Sequence, residues 1–147
     1  MRIEGRWHLF DDGATRPVVD AFVQKPDGAW KSVTFLLDSG ADRTVFEASL
    51  LPLLNSLVLP DSDPPNLSGV GGKVGCLLLQ TRLGFTRDDG KMITVGGSFG
   101  IFTELSSSDV SILGRDVTDN FDVIYSFSKR EVLLLATPHS YLVQLPF

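Results

Sequence analysis

Cysteine is nearly missing from this sequence. Cys76 stands alone, so no intrachain disulfide can form and a cysteine-built zinc site has no ligand set. Its expected role is that of a small buried apolar residue rather than a redox group. Histidine is scarce too: His8 and His139 lie far apart with no cysteine near either, and both read as surface or loop residues. No apolar run approaches the roughly 20 residues that span a bilayer. The opening Met1-Arg2-Ile3-Glu4-Gly5-Arg6 leads into no hydrophobic secretory segment, so the expected compartment is the cytoplasm. Basic residues form no cluster and the net charge is −5, which argues against a nucleic-acid partner.

What is present is a chain of 147 residues, 43% hydrophobic and 21% charged, which suits a single domain over 1–147 with one core. The pattern is that of an all-β protein with many short strands joined by turns, a barrel or sandwich, with one or two short helices. Arg6–Phe10 reads as a short strand. Pro17–Val23 is β-rich, Lys25-Pro26-Asp27-Gly28 is a strong turn signal, and Trp30–Leu37 makes the returning strand. Glu47–Leu57 suits a short helix with Pro52 near its start, and 60–65 is a loop. Between Gly69 and Gly75 four glycines in seven residues predict a flexible hairpin tip. Strands are expected over Cys76–Phe85 and Met92–Phe102, the second broken or bulged at Gly96-Gly97. Val110–Asp116 reads as a buried strand ending at a glycine, and Val117–Phe121 as one helical turn. A final hairpin flanks Ser128-Lys129-Arg130, and Tyr141–Leu145 suits a last short strand.

The chemistry gathers at Phe35-Leu36-Leu37-Asp38-Ser39-Gly40-Ala41-Asp42-Arg43-Thr44-Val45-Phe46. An apolar strand delivers Asp38 into a small-residue turn, and a second apolar run leaves it. Placing a carboxylate at the end of a buried strand costs several kcal/mol, on the order of what its neighbours must return in hydrogen bonds. Asp38-Ser39-Gly40 alone fits a simple Asx turn as well as a reaction centre. Two later segments decide between them. Ser68-Gly69-Val70-Gly71-Gly72 lies between predicted strands, with no Lys-Ser or Lys-Thr pair to make it a phosphate-binding loop. Ile112-Leu113-Gly114-Arg115-Asp116 is an apolar strand closed by a glycine that permits close backbone approach.

In this order the three segments resemble the retropepsins, the retroviral-type aspartic proteases, over about residues 17–136; the longer chain suits a cellular or bacterial member. The resemblance implies a retropepsin-like acid protease barrel. It makes Asp38 the catalytic acid, with Ser39, Gly40, Ala41, Asp42 and Arg115 as support, and pairs Arg115 with Asp42. It makes Gly69, Val70, Gly71 and Gly72 a substrate-closing flap, and Val45, Val70 and Ile112 the lining of apolar side-chain pockets. It implies an extended polypeptide substrate and no cofactor or metal.

Aspartic proteases use two carboxylates that share a proton, because like charges a few Å apart cannot both ionise. This sequence has one Asp-Ser/Thr-Gly. The expected active form is therefore a homodimer with Asp38 from each subunit on the two-fold axis. Ala41 stands where pepsin-like lobes often carry serine. Loss of that hydroxyl removes a hydrogen bond from the ionised acid and predicts an optimum nearer about pH 5–6. Two other functions fit less of the pattern: a catalytically silent retropepsin-like peptide-binding or dimerisation module, and an unrelated β-barrel in which Asp38 caps a turn. In viral chains the terminal strands interleave in the dimer. Here residues 1–16 and the tail from Thr137 match no motif, and the apolar tail suits a dimer strand or a strand closing its own barrel equally.

Overall fold

The computed structural model describes residues 1–60, 67–69, 72–105, 110–136, 138–140, 142 and 144; for 67–69 and 72–74 it describes the backbone only. Two short strands, β1 (Arg2–Glu4) and β2 (Arg6–Leu9), come first. β3 (Thr15–Gln24) and β4 (Trp30–Leu37) form the expected hairpin, in register from Val18–Leu36 to Gln24–Trp30. Its turn works through Gly28, at φ 86°, and Asp27 Oδ1, which accepts the Ala29 N–H at 2.9 Å. β5 (Val45–Phe46) follows the acid loop. Next come a 3-10 turn at Ala48–Leu50, α1 (Leu51–Leu54) and a 3-10 turn at Asn55–Leu57. Pro52 sits in the first turn of α1, where a missing N–H costs nothing.

The glycine-rich stretch is a hairpin, β6 (Leu67–Gly69) against β7 (Gly72–Val74), with Gly69 opposite Gly72. The long strands β8 (Cys76–Thr86) and β9 (Met92–Phe102) pair along their whole length. β10 (Ser111–Leu113) leads through Gly114 into α2 (Arg115–Thr118). β11 (Asp122–Ser126) and β12 (Glu131–Leu135) are the last hairpin.

A seven-stranded sheet runs β2-β3-β4-β10-β5-β9-β8, and β8 returns to β3 through Phe22–Gly84 and Val23–Leu83. Six of the strands therefore close into a ring. A second sheet, β1-β12-β11, packs beside it. Strand alternation drives the closure. Val19, Ala21 and Val23 on β3, and Val33, Phe35 and Leu37 on β4, all point into one core. Phe46, Leu54, Leu79, Leu83, Phe85, Phe99, Ile101 and Leu113 fill it, each worth about 1.5–3 kcal/mol when fully buried. Phe46 bridges the tilted ring of Phe35 at 5.7 Å and the edge-on ring of Phe99 at 6.1 Å. Among the described residues no helix is long and apolar enough to cross a membrane.

Three local expectations are corrected. The β9 strand is neither broken nor bulged at Gly96-Gly97: Arg82–Gly96 and Thr81–Gly97 continue the ladder without a slip. The glycines make room for a side chain instead, since a Cβ at Gly97 would stand 3.2 Å from the Phe99 ring. The helical turn begins at Arg115 rather than Val117, because Gly114 ends β10 and occupies the N-cap. Leu142 and Gln144 lie in no strand, while Tyr141, Val143 and Leu145 lie outside the described residues. Most of the loop expected over 60–65 also lies outside them.

Candidate active site

Asp38 is the first residue past β4, and β10 holds it there. β10 inserts between β4 and β5, parallel to the first and antiparallel to the second, with Leu113 beside Leu37 and Ile112 beside Val45. The Asp38 N–H donates to Leu113 O at 3.2 Å. Beyond the acid the chain turns sharply: the Ala41 N–H donates to Asp38 O at 3.2 Å, and the Gly40 N–H to Asp38 Oδ1 at 2.9 Å. A Cβ on Gly40 would stand 3.3 Å from that same oxygen, so glycine keeps the approach to the carboxylate open. Ser39 and Gly40 are exposed at the tip, and Asp38 is half-buried.

The far side of the loop is tied to the start of α2. The Arg115 N–H donates to Ala41 O at 2.8 Å and the Asp116 N–H to Asp42 O at 3.2 Å. The Arg115 guanidinium pairs with the Asp42 carboxylate, and that hydrogen bond, with the charge behind it, pushes Arg115 further toward its ionised form. Gly114 lies against the Arg43 backbone so closely that a Cβ would fall 2.5 Å from Arg43 C and 2.6 Å from Arg43 O.

Beneath the loop is a polar knot. Thr44 is fully buried. Its N–H donates to both Asp116 carboxylate oxygens, at 2.9 and 3.0 Å, and its hydroxyl donates to Asp116 Oδ1 at 2.7 Å. The same hydroxyl accepts the Gly114 N–H at 3.0 Å. The Thr44 carbonyl accepts the Gly100 N–H at 2.9 Å, which joins the loop to β9. One threonine thus binds the acid loop, β10, α2 and the barrel wall.

Residues 13–124, well over half of the chain, match the family model described as retroviral aspartyl protease. The chain belongs to the retroviral aspartyl protease family. A retropepsin-like aspartic protease from Rickettsia conorii shares the fold at a TM-score of 0.56 and 17% identity, over 91% of this chain and 88% of that one. The EIAV protease in complex with the inhibitor HBY-793 aligns at a TM-score of 0.49 and 22% identity, over 76% of this chain and 92% of that one. No curated protein sequence matches the chain.

In this retropepsin-like chain Asp38, Ser39, Gly40, Ala41, Asp42 and Arg115 come together in one loop and its brace. Gly69 and Gly72 face each other in the β6–β7 hairpin, while Val70 and Gly71 lie outside the described residues. Of the two remaining pocket candidates, Val45 is only 2% exposed and packs with Ala48, Cys76 and Phe102, whereas Ile112 is half-buried. Thr44 and Asp116 carry a role that the sequence motifs did not assign. The signal for it was a hydroxyl leading directly into the apolar Val45-Phe46, which must find a partner once buried. Tyr125 on β11 also lies in the field of the acid: burial, then the Asp38 charge, raises its phenol above the usual range. A cavity of about 410 Å³ lined by Arg6, His8, Phe10, Ser32, Thr34 and Glu47 contains no residue of the acid loop.

Proposed function

We infer that this chain is an aspartic endopeptidase that acts as a homodimer and cleaves extended polypeptides. The observation that carries this reading is the loop around Asp38: its carboxylate receives one backbone N–H, from Gly40, and keeps an open side, while the Gly114, Arg115 and Asp116 N–H groups brace the loop. One such loop supplies one carboxylate. Two copies facing each other supply a pair in which one acid is ionised and the other protonated. The ionised member takes a proton from a water held between them. That water attacks the scissile carbonyl, and the protonated member donates to the carbonyl oxygen as the tetrahedral intermediate forms.

Ser39, exposed at the loop tip, is placed to offer its hydroxyl to the opposite loop. Gly40 leaves room for a substrate backbone. The β6–β7 hairpin, with Gly69 opposite Gly72, supplies the flap and holds an extended peptide by main-chain hydrogen bonds. Ile112, half-buried, contributes apolar surface and Val45 backs it, which favours cleavage between apolar residues.

The test compares wild type with Asp38→Asn on an unstructured protein substrate across about pH 3 to 8, with and without a statine-type inhibitor. Wild type should cleave with a maximum near about pH 5–6, be blocked by the inhibitor, and lose all activity on substitution. Cleavage by the variant rejects the mechanism. A confirmed dimer that cleaves nothing makes the protein a silent peptide-binding module instead.

A further inference from the structure

Arg6, His8, Phe10 and Asp11 precede the matched family region, and they form one wall of the cavity of about 410 Å³. Ser32 and Thr34 of β4 make its floor. Glu47 and Val110 stand on the far side. The arginine of this wall is fully committed. Its Nε and Nη2 donate to Asp20 Oδ2 and Oδ1 at 2.9 and 3.1 Å, and its Nη1 lies 2.9 Å from His8 Nδ1. The Thr34 hydroxyl also donates to Asp20, at 2.6 Å. Arginine can only donate, so His8 Nδ1 accepts and the ring proton sits on Nε2.

Among the described residues the His8 Nε2–H, the Ser32 hydroxyl and the Asp11 carboxylate have no hydrogen-bond partner. Asp11 is the unmatched charge of this wall. Beside it the Phe10 ring meets His8 edge-on at 4.9 Å and already carries the Arg16 guanidinium at 5.2 Å. A free acid next to an aromatic ring suits a lysine or arginine side chain, whose stem packs on apolar surface while its head meets a carboxylate. The groove also opens on the track to the acid. β4 buries Val33, Phe35 and Leu37, so Ser32, Thr34 and Leu36 share the opposite face, and Asp38 follows in the same phase. Ile112 pairs with Leu36 along that track. Thr34 and Ser32 stand four and six residues before Asp38, about 13 and 20 Å back at about 3.3 Å per residue.

We propose that this groove is a second substrate site: it takes a lysine or arginine side chain of the polypeptide being cut, at least about four to six residues from the scissile bond. The proposal rests on the endopeptidase reading above and adds a feature of its substrate. The cationic head meets Asp11, and its stem lies against Phe10. The His8 Nε2–H and the Ser32 hydroxyl hold the peptide carbonyl next to it. An extended chain then runs over Thr34 and Leu36 to Asp38. The N-terminal segment thereby selects which polypeptide is held, while the acid loop performs the cut.

The probes are two short unstructured Gly-Ser peptides, one with a central Lys-Gly-Lys and one with a central Glu-Gly-Glu. Amide NMR spectra of Asp38→Asn protein locate them without cleavage. The lysine peptide should shift the amides of His8, Phe10, Asp11 and Ser32, and the glutamate peptide should not. Asp11→Lys should reverse that preference. An equal response to both peptides, or shifts only elsewhere, overturns the site. Kinetics give a second readout. An unstructured substrate with an apolar scissile pair is made with and without Lys-Gly-Lys about six residues away, on each side of that pair in turn. In wild type the lysines should raise kcat/KM at least about threefold on one side. In Asp11→Lys the ratio of the two substrates should fall to about one or below. A wild-type ratio of one on both sides overturns the role in cleavage. If no substrate is cut but the lysine peptide still shifts the groove amides, the endopeptidase reading falls and the groove remains a basic-peptide site.

Discussion

Thr44→Val changes one atom of the fully buried knot under the acid loop into a methyl group, at nearly constant volume. Two hydrogen bonds disappear. The Gly114 N–H, buried at 3.0 Å from the Thr44 hydroxyl, is left without an acceptor. An unsatisfied buried donor costs about 1–3 kcal/mol. The 2.7 Å bond to Asp116 is lost as well. Asp116 is exposed enough for water to replace part of that bond, which holds its share to the low end, about 1 kcal/mol. A methyl in place of a hydroxyl recovers up to about 1 kcal/mol. The net cost is about 1–3 kcal/mol. With a urea dependence of about 2 kcal/mol per molar, the unfolding midpoint should fall by about 0.5–1.5 M at a fixed protomer concentration. Thr44→Ser supplies the decisive contrast. It keeps both bonds and gives up one methyl, about 0.8 kcal/mol plus a small cavity. Serine should therefore be the milder substitution. If valine proves milder than serine, the hydroxyl is not what holds the loop, and the brace assigned to Thr44 and Asp116 is wrong.

Gly114→Ala drives a Cβ into the Arg43 backbone, which cannot swing aside as a side chain can. It should cost at least about 2 kcal/mol, lower the thermal midpoint by about 5 °C or more, and abolish peptide cleavage; a midpoint within about 1 °C of wild type would show that the two backbones are not locked together. At the cross-strand pair of Arg6 and Asp20, the Arg6 hydrogen bond, aided by Thr34, holds the Asp20 carboxyl below the usual range. Such a group stabilises the fold fully above its unfolded value of about 3.9, and the contribution is lost as pH falls through the lower folded value. With the two side chains 45% and 51% exposed, wild type should exceed Asp20→Asn by no more than about 1 kcal/mol at pH 6. Chemical denaturation should show that gap closing as the pH falls below the unfolded value; a gap that is the same in acid would mean that charge is not its source.

Local signals carried the hairpins. Alternating Val33, Phe35 and Leu37, with a Pro-Asp-Gly turn before them, place Asp38 at a strand end without any tertiary knowledge. The β8–β9 pair and the final hairpin were legible for the same reason. The position of β10 was not. Three residues, Ser111–Leu113, carry no periodicity that says they lie between β4 and β5, and only the family resemblance tied Arg115 to Asp42. Gly96-Gly97 misled because glycine marks a bulge and a packing gap alike, and the ring of Phe99, two residues on, decides which. Asp116 looks like any exposed acid until Thr44 is found 2.7 Å away.

The brace on the acid loop is long-range in sequence: Asp42 waits for Arg115, 73 residues on, and Thr44 for Asp116, 72 residues on. Closing a loop of that length costs about 4 kcal/mol of chain entropy before any contact forms. On a ribosome adding about 5–20 residues each second, the interval between the two partners is several seconds. During that time the chain already contains its acid, its turn and its flap strands, but nothing pins the acid loop. The topology therefore acts as a clock. A nascent or truncated chain that ends before β10 holds every residue of the acid loop but lacks the partners that brace it, so the loop's shape arrives with the last third of the molecule rather than with the acid itself.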